Sequence, residues 1–194
     1  MTRSFRVSLS VALGAAGLAL ASCSQAVKSD ASAKEAVAAS ERSPAPGFVV
    51  QQVNGTGTFS LAEARGEWVA VHFLLKTDCP ICRSMTDTYA TRADEVPGVR
   101  HVFLKPDAVE DTKAWIAGWR QGKDAPAIYR DVDAEIAERY GIRDGYEFHG
   151  EVVHYPALVI IDPQGREAYR HIGDRTQDRV PFDTFKEIMA ELRG

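Results

Sequence analysis

The chain has 194 residues, 45% of them hydrophobic and 26% charged, with a formal net charge of −4. That composition is globular and long enough for one good core or two small ones, which excludes a collagen-like chain, disorder throughout and a multi-span membrane protein. The acidic balance argues against nucleic acid as a partner, because phosphate binding needs a basic surface; three cysteines, at 23, 79 and 82, are too few for a disulfide-rich mini-domain.

Residues 1–22 read as an address rather than a structure. Arg3 and Arg6 make a basic start, and an apolar run follows from Val7 to Leu20. This is the pattern of a signal peptide, and the run is short for a membrane-spanning helix. It ends in Leu20-Ala21-Ser22-Cys23, which resembles the lipobox of bacterial lipoproteins. The resemblance implies cleavage before Cys23, lipid attachment at Cys23, and a mature chain tethered in the cell envelope facing the periplasm. Ser24 is similar to the outer-membrane sorting pattern. An ordinary signal peptide with an incidental cysteine is the alternative. Cleavage takes away two arginines and no acid, so the net charge of −4 becomes −6.

Residues 23–46 are rich in alanine, serine and charge, with no large apolar residue beyond Val27 and Val37. Such a stretch cannot build a core and reads as a tether. The folded domain is expected over 47–194.

In that domain strands and helices alternate. Phe48–Val53 is a weak first strand. Trp68–Leu75 is an almost unbroken apolar run, the mark of a central strand buried on both faces. A helix follows the cysteines, with Met85 and Tyr89 four apart. Val99–Leu104 is a second strong strand. Trp115, Ile116 and Trp119 mark another helix, and Val132, Ile136 and Tyr140 a third, stopped by Gly141. Ala157–Ile161 is nearly all apolar, and Asp162-Pro163-Gln164-Gly165 turns it into Glu167–Ile172, a hairpin. The last helix carries Phe182, Phe185, Ile188, Met189 and Leu192, with Pro181 near its first turn. This order predicts an α/β fold with helices on both faces of a sheet.

The chemistry sits where the central strand ends, in Lys76-Thr77-Asp78-Cys79-Pro80-Ile81-Cys82-Arg83. Two cysteines three apart at a helix start can close a disulfide around one turn. Unpaired N–H groups and the positive dipole end there lower the pKa of a thiol at Cys79. Pro80 suits the first helical position. Cys82 lies one turn further in, so Cys79 is assigned the attack and Cys82 the resolving step. Lys76 and Arg83 favour a thiolate; Asp78 opposes it.

Cys79-Pro80-Ile81-Cys82 at a strand-to-helix junction, together with His154-Tyr155-Pro156-Ala157-Leu158 and the hairpin after it, resembles the thioredoxin-like superfamily. The likeness covers 47–194 and implies a central mixed β-sheet flanked by helices. It also implies a cis bond before Pro156, with Pro156 against the cysteine pair and Tyr155 helping to dock a substrate peptide. Phe59–Trp68, Ile128–Ile142 and the position of Phe73 before Cys79 are similar to the redoxin branch, the AhpC/TSA or peroxiredoxin-like proteins. The chain departs from peroxiredoxins in placing Lys76 where they carry a threonine; Thr77 is one place off. It departs from thioredoxins in placing His72 where they bury an aspartate; His72 is either a proton relay or a packed strand histidine. The stretch from Ile142 to Tyr155 is longer than the usual link into the proline strand and is expected beside the cysteines, where it would shape partner choice.

Three readings compete. One is a membrane-tethered thiol–disulfide oxidoreductase acting on protein thiols and disulfides with a redox partner protein. One is a thiol peroxidase using Cys79. The third is a copper carrier resembling the Sco-type chaperones, holding copper(I) between Cys79, Cys82 and His154. A zinc site lacks its second ligand pair, and haem attachment needs a histidine where Arg83 stands. No cofactor or resident metal is called for. Reductant, oxidant and isomerase share the motif, and the direction depends on which redox form the fold stabilises.

Overall fold

The computed structural model describes residues 42–76, 78–119, 125–142, 145–148 and 151–194. Residues 1–22, expected to be a signal peptide, Cys23 and most of the expected tether lie outside the described residues, as does Thr77.

In chain order the elements are β1 (Val49–Gln51), β2 (Thr58–Ser60), β3 (Trp68–Phe73), α1 (Pro80–Thr91), β4 (Val99–Lys105), α2 (Val109–Ala117), β5 (Ile128–Arg130) and α3 (Glu135–Arg139). Then come β6 (Tyr146–Phe148), β7 (Glu151–Val153), β8 (Ala157–Ile161), β9 (Glu167–Ile172) and α4 (Phe182–Arg193). The main sheet has the order β5-β4-β3-β8-β9. β3, β4 and β5 run parallel, while β8 and β9 add to the other side of β3 in the antiparallel sense. The sheet is mixed, as expected, and β3 lies at its centre.

β3 explains the layering. Its alternate residues point to opposite faces. Val69, Val71 and Phe73 enter one core with Phe48, Phe59, Val159 and Tyr140. Ala70 enters the other, with Tyr89, Phe103, Leu158, Phe185 and Met189. The first core is closed by the β1–β2 ribbon and α3, the second by α1, α2 and α4. Helices therefore cover both faces. Phe185 is fully buried, and removing such a ring from water is worth roughly 1.5–3 kcal/mol.

Two local expectations differ. The regular strand is shorter than Phe48–Val53 and pairs with β2, Val50 opposite Phe59, while just beyond it Gln52 bridges Tyr129 and Val53 N donates to Ile128 O at 2.8 Å on β5. The third helix does not start at Val132. Asp133 (φ 52°) and Ala134 (φ 59°) take left-handed backbone, which breaks the helical period and leaves Val132 43% exposed. The helix starts instead where the Asp131 carboxylate accepts the Ile136 and Ala137 N–H groups at 2.8 and 3.0 Å. Contacts with the sheet also reach back before Gly47: Ala45 N donates to Gly165 O at 3.0 Å, and Glu167 N donates to Ser43 O at 2.8 Å.

His72 belongs to the face of Ala70 and is buried in a ring cluster. Its Nε2 lies 3.0 Å from His101 Nδ1, and it packs on Tyr89 and Phe103. Burial, then the charges of His101 and Arg179, holds its pKa well below 6.5; burial pushes His101 down to about 4. Both rings are neutral in the folded chain. An unfolded chain protonates them near pH 6.5, so this stability is complete above that pH and is lost as pH falls toward about 4. His101 alone contributes about 3 kcal/mol over that window. The urea midpoint is expected to fall across it, and His101→Phe to flatten the fall; a wild-type midpoint constant across the window would refute the neutral pair.

Candidate active site

The loop after β3 is tied down at its start, at Leu74 and Leu75. Leu74 N donates to Leu104 O at 2.9 Å, which extends the β3–β4 pairing by one bond. The Leu75 carbonyl accepts from Lys105 Nζ at 2.9 Å. Lys105 is fully buried, ion-paired with Asp107 at 2.8 Å, and lies 5.0 Å over the Trp115 ring. Burial lowers its pKa, and Asp107 opposes that shift. A buried ammonium so tied fixes the path of the chain just before Cys79.

Cys79 is the N-cap of α1, with φ −115° and ψ 98°, and Pro80 is the first helical residue. The Cys79 Sγ accepts the Cys82 N–H at 3.1 Å. The two cysteines form a disulfide with a Cα–Cα distance of 5.2 Å. Cys79 is 8% exposed and Cys82 is 0%. The predicted asymmetry holds: one sulfur is at the rim and the other behind it.

The cation that reaches the sulfurs is neither of those beside the motif. Arg83 is engaged elsewhere, with Nη2 donating to Trp115 O at 2.9 Å and to Asp78 Oδ1 at 3.2 Å. Arg179 takes the place expected of it. Its Nη2 lies 3.2 Å from Cys82 Sγ and 3.6 Å from Cys79 Sγ. Burial lowers the guanidinium pKa to about 10, which leaves it charged at neutral pH. Arg179 sits between β9 and α4, where Nε donates to Thr176 O at 3.2 Å. The next residue is latched to α1, since Tyr89 Oη donates to Val180 O at 2.9 Å. Sequence reasoning missed Arg179 because it stands 97 positions from Cys82; the only local sign is an arginine just before the last helix.

Pro156 is buried, and its carbonyl accepts from Gly173 N at 2.9 Å. The expected cis bond is not there: Tyr155–Pro156 is trans. The chain runs extended into β8, the conformation favoured before proline, and the trans isomer is its ordinary ground state. Pro156 still faces the site region. With His72, Met85, Tyr89, His171 and Arg179 it lines a cavity of about 30 Å³.

The 142–155 stretch supplies a hairpin, β6 paired with β7, Tyr146 opposite Val153. Tyr146 packs against the core cluster that contains both cysteines. Burial raises its pKa, which the nearby Arg179 charge opposes, and its ring stacks on Tyr155 with centroids 5.6 Å apart. Through Tyr146 the insertion reaches the surroundings of Arg179. His154 does not join the redox pair. Its Nδ1–H donates to the Tyr155 carbonyl at 2.8 Å, and burial lowers its pKa. Among the described residues no three His, Cys, Asp or Glu side chains gather as a metal site, so the copper set of Cys79, Cys82 and His154 is not assembled.

The fold recurs in solved structures. A peroxiredoxin-like protein from Aquifex aeolicus superposes with a TM-score of 0.62 at 19% identity, over 78% of this chain and 86% of that one. A candidate thiol:disulfide interchange protein DsbE from Chlorobium tepidum gives 0.57 at 21%, over 79% and 97%. AhpC from Mycobacterium tuberculosis gives 0.66 at 16%, over 79% and 92%. These likenesses show a shared fold. No curated protein sequence matches the chain. The profile of the AhpC/TSA family does match, over residues 42–169, a span that holds both cysteines and Pro156 and stops before Arg179. The chain belongs to the AhpC/TSA family, whose members are thiol oxidoreductases or peroxidases.

Proposed function

We propose that this protein is a thiol–disulfide oxidoreductase tethered to a membrane outside the cytoplasm, with Cys79 as the attacking and attacked sulfur and Cys82 as its resolving partner. The observation that carries the reading is the Cys79–Cys82 disulfide at the N-cap of α1, with the Cys82 N–H on the Cys79 sulfur. A helix N-terminus stabilises a thiolate, and a second cysteine one turn away returns any mixed disulfide to the closed pair. Thiolate attack on a disulfide breaks the S–S bond attacked, forms a new one, and sends the electron pair to the leaving sulfur. Each exchange is therefore balanced without a cofactor.

The exposure difference sets the order of events. Cys79, 8% exposed against 0% for Cys82, is the sulfur a partner reaches first, so the mixed disulfide forms there. Tyr155 and Tyr146, both half-buried and stacked on each other, offer an aromatic platform for an extended client segment. Pro80, exposed at the start of α1, borders the same opening. The tether reading rests on the lipobox, Leu20 to Cys23.

Cys82→Ala is expected to accumulate mixed disulfides with client proteins through Cys79, visible as bands that disappear on reduction. Cys79→Ala should trap far fewer, and equal trapping by both variants would reverse the roles. Peroxide consumption in place of disulfide exchange, abolished by Cys79→Ala, would favour the peroxidase reading.

For the tether, Cys23→Ser is expected to abolish labelling with a fatty-acid analogue and to leave the chain unprocessed or released from membranes. Labelling that persists in Cys23→Ser would refute lipid attachment at Cys23.

A further inference from the structure

We infer that Arg179 holds the reduced cysteine pair as a thiolate and thereby poises this protein to oxidise protein dithiols, an inference that rests on the exchange chemistry proposed above. The guanidinium is half-buried, and among the described residues it has no carboxylate partner. Its Nε is satisfied by the Thr176 carbonyl, and its Nη2 faces two sulfurs. The titratable groups it senses from neighbouring elements are His72 on β3 and Tyr146 on β6, both neutral. On its own segment Asp178 pairs with His171 at 3.0 Å.

A half-buried cation with no carboxylate beside it among the described residues is poorly compensated. In the disulfide the sulfurs are neutral and accept hydrogen bonds weakly. Reduction puts a negative sulfur at Cys82, 3.2 Å from the guanidinium, and gives the cation an anion in direct contact. The reduced form gains an interaction that the oxidised form lacks, and stabilising the reduced form makes a pair more oxidising. The two sulfurs are served separately: the Cys82 N–H and the α1 N-terminus act on Cys79, and Arg179 acts chiefly on Cys82.

The step follows from the exposure difference. A client thiolate, its proton lost to water, attacks Cys79 Sγ. A client–Cys79 bond forms, the Cys79–Cys82 bond breaks, and the electron pair leaves on Cys82 beside Arg179. The second client thiol loses its proton and attacks the client sulfur of that mixed disulfide. The client disulfide forms and Cys79 departs as a thiolate or takes up a proton. The client loses two electrons and the pair gains two. A lowered pKa at the leaving sulfur speeds the first attack.

The test equilibrates the full chain with glutathione redox buffers and reads the reduced fraction by thiol trapping. Arg179→Met is expected to shift the equilibrium toward the disulfide by about tenfold or more, with Arg179→Lys recovering part of it. A shift under about twofold in Arg179→Met overturns the inference. A second reading needs no change at Arg179. In Cys79→Ala, alkylation of Cys82 as a function of pH should be half-maximal well below the ordinary thiol value of about 8.5. A half-point at or above that value also overturns it. If the wild-type pair forms no reversible disulfide with glutathione, the exchange reading itself fails, and this inference with it; a reversible pair indifferent to residue 179 sinks the inference alone.

Discussion

A strand without an exposed face can carry chemistry only at its end. β3 is covered by β4 and β8 at its edges and by packed side chains on both faces, and five of its six residues are buried. The chain next meets solvent where β3 gives way to α1. The two cysteines stand at that junction, on the first turn of a helix where the Cys79 sulfur itself takes the Cys82 N–H. Burial of β3 and placement of the redox pair are one constraint seen from two sides.

The same constraint recruits residues remote in sequence. Because β8 and β9 pair antiparallel beside β3, the segment after β9 is carried back toward the start of α1. Tyr89 then fastens Val180 to that helix, and the neighbouring Arg179 is delivered to the sulfurs. Pro156 and the β6–β7 hairpin arrive by the shorter path into β8. Lys105, at the end of β4, fixes the loop from below through the Leu75 carbonyl. Each β-strand end near β3 thus contributes one group to the region: a cysteine pair, an ammonium, a proline with its tyrosine, and a guanidinium.

Local features were legible in the sequence, and non-local ones were not. The apolar runs 68–75 and 157–161 gave strands because alternation and burial are properties of neighbouring residues. The Cys79-Pro80-Ile81-Cys82 junction was readable for the same reason: three residues of spacing is one helical turn. Val132 misled, since its spacing to Ile136 fits a helix but the left-handed backbone at Asp133 and Ala134 has no counterpart in apolar periodicity. The cis bond expected at Pro156 came from resemblance, and the extended run into β8 accommodates the trans form instead. His154 looked like a ligand by position alone, and among the described residues it gathers with no other ligands into a metal-holding group.

Arg179 is the clearest case of information that exists only after folding. Nothing within several residues of it marks it as part of a redox site, and Lys76 and Arg83 flank the cysteines far more closely in sequence. Yet the Arg83 guanidinium is taken by the Trp115 carbonyl and by Asp78, and it serves to hold α1 against the end of α2. Proximity along the chain therefore says little about which charge a sulfur feels. What matters is which cation lies against the sulfurs with no carboxylate partner among the described residues, because that cation interacts most strongly with a new negative charge. By that criterion the fold keeps Arg83 for structure and leaves Arg179 for the sulfurs.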